Sequence, residues 1–143
     1  MTQTIESEML RLFSVVARGW LVGAVLSTAL VMTIYFGDRD TPFVATVVAI
    51  LGSCGAVVAY AAAIIVRLVT GRPPRRKWWL FWFLFAAAGP FGLIVWFEAV
   101  DSYFTGPGFR LSAFIPAGIL GAIYGVSVAG LMYWSGRSAP RAK

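Results

Sequence analysis

Charged residues interrupt this chain so rarely that four long uncharged runs stand out: Gly19–Phe36, Thr41–Val66, Trp78–Phe97 and Leu111–Gly136. Each approaches or exceeds the roughly 18–20 apolar residues that a helix needs to cross the hydrocarbon of a bilayer. A spanning segment must satisfy its own backbone hydrogen bonds, so the runs predict helices rather than open strands. The expected fold is therefore all-α, an integral membrane bundle of four transmembrane helices making one membrane domain over residues 1–143. The predicted spans cover about 17–36, 43–66, 78–99 and 112–134, with a basic cytoplasmic loop at 67–77 and outer loops at 37–42 and 100–111.

Ahead of the first run, Ile5, Met9, Leu12, Phe13 and Val16 recur on one helical face, with Glu6, Arg11 and Arg18 elsewhere around it. This predicts a short amphipathic N-terminal helix, with Thr4 as its N-cap and Glu6 and Glu8 in its first turn. It would lie on the inner leaflet or dock a partner; equally, it would extend the first span and pack on its neighbours. Glu6 and Glu8 sit where a signal peptide carries positive charge, so the first span is expected to be retained. Pro73 and Pro74 must end the second span near Thr70–Gly71, and Gly106-Pro107-Gly108 is turn chemistry. Pro90, after Ala86-Ala87-Ala88-Gly89, predicts a kink in the third span.

Small residues recur every fourth position on three spans: Gly19, Gly23 and Ser27 on the first, Gly55, Ala59 and Ala63 on the second, and Ala117, Gly121, Gly125 and Ala129 on the fourth. Lipid tails give helices no hydrophobic reason to associate, so such grooves matter because they let backbones approach closely. These ten positions are the expected helix-packing surface, facing either a sister span or another subunit.

Charge then orients the predicted spans. With both termini cytoplasmic, ten of the 12 Lys and Arg residues lie inside, leaving Arg39 and Arg110 outside. The opposite threading reverses that ratio against the insertion bias, so the topology is expected to be N-in/C-in. Arg72, Arg75, Arg76 and Lys77, followed by Trp78, Trp79 and Trp82, are the expected contacts with lipid headgroups. The net charge of +6 flanks apolar spans rather than lining a polar face, so no nucleic-acid partner is expected. The partners expected are membrane lipids and other transmembrane subunits or a second copy. The absence of Asn and the preference for Arg over Lys suit a high-GC bacterium or phage, and so a bacterial cytoplasmic (cell inner) membrane.

Catalytic chemistry is sparse. With no His and a single Cys, Cys54, the chain offers neither a His/Cys zinc site nor an internal disulfide, and no cofactor is expected. Hydroxyls at Ser27, Thr28, Thr33, Thr46, Ser53, Ser127, Tyr60 and Tyr124 can bond their own helix carbonyls. Glu98, at the outer end of the third span, is the one candidate ion or proton site, beside Asp101 or Arg110. Small multidrug-resistance transporters share this size and span count, but they depend on a Glu embedded in the first span. Gly19–Phe36 holds none, so that family is not claimed. The expected role is non-catalytic, a small accessory or structural subunit packing against a larger membrane complex. The alternative is an oligomeric pore, a phage holin or a small transporter using the Pro90 kink and Glu98.

Overall fold

A computed structural model describes residues 2–34, 39, 41–75, 77–106, 112 and 114–137. Four helices follow one another: α1 (Thr2–Ile34), α2 (Thr41–Thr70), α3 (Trp79–Thr105) and α4 (Phe114–Arg137). All four are long and apolar enough to cross a membrane. Large apolar side chains cover their outer surface, among them Val25 and Leu26 on α1, Val57 and Ile65 on α2, Leu84 and Trp96 on α3, and Ile115 and Val126 on α4. Water would not tolerate a continuous apolar surface on that scale, whereas hydrocarbon requires one.

The helices run longer than the uncharged patterns. At about 1.5 Å per residue, the 33 residues of α1 reach about 50 Å, well past a hydrocarbon core of about 30 Å. No break separates the first residues from the span, so the expected separate amphipathic helix is instead the first turns of α1. Leu12 and Val16 are buried against the neighbouring helices, and that packing is why the segment continues the span. Because α1 starts at Thr2, Thr4 is a helical residue and not an N-cap. The stretch expected as an outer loop from residue 100 is helical through Thr105.

The ends follow backbone chemistry. Gly71 (φ 71°) and Gly106 (φ 74°) adopt the left-handed conformation that closes a helix. Their amides donate to the carbonyls of Arg67 at 2.8 Å and Ser102 at 3.1 Å. Pro42 and Pro116 fall in first turns, where a missing N–H costs nothing.

Packing is cyclic and antiparallel. Helix α1 packs on α2, α2 on α3, α3 on α4 and α4 on α1, while α2 and α4 also touch across the diagonal. Helix α4 is the most enclosed, with 44% of its apolar window buried against 22% for α3. At one end of the bundle Leu12, Val16, Ala59, Ala63, Trp82, Ala86, Val128 and Met132 form the main core. That end gathers the start of α1, the end of α2, the start of α3 and the end of α4. The basic connection carrying Arg72, Arg75 and Lys77 therefore lies at the same end as Arg11. Asp38, Asp40, Arg76, Arg110, Arg141 and Lys143 lie outside the described residues, and the Arg137 side chain is likewise not described.

Candidate functional site

The most constrained region centres on Tyr124 of α4, a side chain only 1% exposed. Its ring lies against Gly23 of α1 and Gly52 of α2, so two glycines from different helices make room for one aromatic. A methyl added at Gly23 would sit 2.6 Å from the ring. The phenol hydroxyl lies 3.3 Å from the Ser27 hydroxyl and donates to the Val48 carbonyl oxygen at 3.3 Å. Tyr124 thus bonds to other helices, not to its own helix as its sequence context suggested. It ties α1, α2 and α4 at one point, which accounts for the diagonal contact.

Three further crossings surround it. Gly19 of α1 faces the Val128 backbone, where a methyl would meet Cα at 2.7 Å. Gly121 and Gly125 of α4 face Ala87 and Phe83 of α3. Gly55 of α2 meets Gly89 and Ala86 of α3, and added methyls there would strike main-chain atoms. Pro90, buried beside them, has no N–H to give the Ala86 carbonyl, four residues earlier. The direction in which a Gly55 side chain would project leads to that same oxygen.

All ten expected helix-packing positions are buried: Gly19, Gly23, Ser27, Gly55, Ala59, Ala63, Ala117, Gly121, Gly125 and Ala129. The glycines among them face sister helices of the same chain. Gly52, essential to the Tyr124 contact, escaped the four-residue pattern because it stands three residues before Gly55. The signal that could have found it is that i, i+3 spacing, which shares a helix face as well as i, i+4 does.

The expected headgroup group divides. Arg72, Arg75, Lys77, Trp78 and Trp79 are exposed, and Arg76 lies outside the described residues. Trp82 is 0% exposed and belongs to the core. That corrects its assignment to headgroups: its ring packs edge-on against Phe81 at 5.1 Å, and its indole N–H donates to the Arg75 carbonyl at 3.3 Å. Trp82 anchors the basic connection from within the bundle.

Most of the remaining hydroxyls serve their own helices. Ser27, Thr33, Thr46, Ser53 and Ser127 donate to the carbonyls of Ala24, Ala29, Pro42, Ile50 and Ile123. Tyr60 instead packs edge-on against Phe13 at 5.3 Å. Glu98 is half-buried towards the end of α3, and Asp101 is exposed one turn on. Among the described residues, no Asp, Glu, Lys or Arg side chain is buried, and no three His, Cys, Asp or Glu side chains converge. No buried side-chain polar atom is left unpaired among them. No family model, curated protein or solved structure matches the chain.

Proposed function

We propose that this chain is a non-catalytic, multi-pass protein of a bacterial cytoplasmic membrane that serves as a small accessory or structural subunit of a larger membrane complex. Both termini are cytosolic in this reading, because that threading retains most of the Arg and Lys on the side where insertion favours them.

One observation carries the proposal: among the described residues, no charged side chain is buried in the interior. Small residues, Trp82 and Tyr124 pack between the helices, and the cavity of ≈ 230 Å³ that remains beyond Tyr124 is lined from all four helices by apolar side chains and Ser27. Transport and proton relay draw on ionisable groups facing a cavity, and this interior offers hydroxyls already engaged with carbonyls. What remains for recognition is the outer surface. Gly118, Ala122, Val126 and Gly130 form an exposed stripe on α4, and added methyls at Gly118 and Gly130 would meet nothing. A neighbouring helix can approach closely there, and the small-residue groove favours such an approach in lipid.

The test is affinity purification of the tagged chain in mild detergent, with mass spectrometry of whatever accompanies it. The expected result is one or more larger membrane proteins in fixed stoichiometry, together with liposomes that stay tight when the chain alone is reconstituted. Recovery of the chain without any such partner, or leakage of small solutes from those liposomes, overturns the reading, and leakage points to the pore class.

A further inference from the structure

We propose that the groove between α1 and α2 binds one acyl chain of an anionic phospholipid, whose phosphate is held by Arg67. The groove has a volume of ≈ 520 Å³, within the range of small-molecule sites, and opens sideways to the bundle's apolar surroundings. Phe13 and Trp20 of α1 line it, with Ala56, Tyr60, Ala61 and Ile64 of α2. Two of its walls are braced. The Trp20 indole N–H donates to the Ala49 carbonyl at 3.3 Å, and Phe13 packs edge-on against Tyr60 at 5.3 Å.

Length favours a lipid chain over a partner helix. The lining on α2 runs from Ser53 to Ile64, about 16 Å at 1.5 Å per residue. That matches one leaflet, half of a hydrocarbon core of about 30 Å. A transmembrane partner about 10 Å wide would need a trough along the whole bundle.

Charge identifies the headgroup. Arg67 stands three residues beyond Ile64, so it continues the lining face of α2 at the groove's end. It is half-buried. A planar guanidinium is suited to bidentate phosphate recognition, and a partly buried one is held where a lipid phosphate would lie. The exposed Arg72, Arg75 and Lys77 attract anionic surfaces in general.

This site is independent of the accessory-subunit reading, and its test needs no partner. The protein, in mixed micelles with equal phosphatidylglycerol and phosphatidylcholine, is released from detergent in native mass spectrometry and its retained lipid identified. The wild-type chain is expected to retain phosphatidylglycerol in preference. Arg67→Gln lowers that preference about fivefold, the value of one charge near a lipid surface. Arg39→Gln, at the opposite end of the bundle, leaves it unchanged, and Ala61→Phe, whose ring enters the groove, abolishes retention of both lipids. Circular dichroism checks the fold of each variant; should Ala61→Phe misfold, Val57→Trp narrows the groove from the same helix and is read in the same way. An unaltered preference in Arg67→Gln, an equal fall in Arg39→Gln, or lipid retained by the filled groove overturns the proposal.

Discussion

Gly19→Ala and Gly130→Ala are the same chemical change and should move stability in opposite directions. At Gly19 the added methyl lies 2.7 Å from the Val128 Cα, 3.0 Å from its Cγ2 and 3.3 Å from its Cβ. A backbone atom cannot rotate away, so α1 and α4 must separate by about 0.7 Å to restore an ordinary 3.4 Å contact. Overpacking of this kind costs about 1–3 kcal/mol. Replacing a helical glycine by alanine returns about 1 kcal/mol through propensity, which leaves a net loss of up to about 2 kcal/mol. The separation also strains the Ser27–Tyr124 hydroxyl pair, which lies between the same two helices.

Gly130 sits two residues beyond Val128 on the same helix, but nothing lies within 4 Å of its added methyl. Only the propensity gain operates there, so Gly130→Ala should stabilise by up to about 1 kcal/mol. The two variants should therefore differ by the overpacking cost, about 1–3 kcal/mol, as measured by reversible unfolding of the purified protein in mixed dodecylmaltoside–dodecylsulfate micelles followed by far-UV circular dichroism. Equal stabilities, or a Gly19→Ala bundle firmer than the Gly130→Ala one, would refute the claim that backbone approach between α1 and α4 holds the fold together.

Tyr124→Phe should cost about 0.6 kcal/mol and no more than about 1.7 kcal/mol in the same assay, the range for single polar contacts between membrane helices. Ser27 retains the Ala24 carbonyl as a partner, so no buried donor is orphaned; a loss above about 3 kcal/mol would show that the ring contacts were misjudged. Trp82→Ala should destabilise by about 3 kcal/mol or more, because it empties a fully buried site, whereas Trp79→Ala, 57% exposed, should leave the bundle within about 0.5 kcal/mol of wild type. Comparable effects of the two would place both tryptophans in the same environment, against the structure. In a Cys54→Ser background, Lys77→Cys should react with an impermeant maleimide only in inverted vesicles and Arg39→Cys only in intact cells. The reverse labelling would overturn the cytosolic placement of the termini.

The spans and the small-residue faces were legible in the sequence because both are one-dimensional. A helix in lipid must be apolar along its length, and Gly or Ala at every fourth position must share a face. What could not be read was which helix comes to meet each face. Tyr124 shows why: its position depends on Gly23 and Gly52, which lie on different helices and whose relation exists only after assembly. Trp82 was misread for a related reason. Aromatic residues beside a basic run are ordinarily interfacial, and the three tryptophans differ only in which way their helix turns them. Trp78 and Trp79 face outward, while Trp82, about one turn further along, points into the core formed by Ala59, Ala63 and Met132. The start of α1 was open between two readings, since an amphipathic face suits either a bilayer surface or a neighbouring helix. Alanines on α2 decided between them by leaving room for Leu12 and Val16.

These same facts locate whatever recognition the protein performs. A bundle joined by glycine crossings depends on contacts of backbone precision, and a methyl group is enough to disturb them. Such an interior is poorly suited to opening and closing around a solute, because main-chain atoms meet directly at the Gly19–Val128 and Gly55–Gly89 crossings and leave no flexible side chain there to adjust. The Gly55–Ala86 crossing is the extreme case, where the carbonyl freed by Pro90 faces Gly55. By contrast, the open glycines Gly92, Gly118 and Gly130 face outward on α3 and α4, and the α1–α2 groove opens sideways. Tight crossings inside and open glycines outside fit the accessory role proposed above. Substitutions that alter function without unfolding the bundle should accordingly concentrate on outward positions such as Gly118, Val126 and Ala61, while inward ones such as Gly19 and Gly125 should act through stability alone.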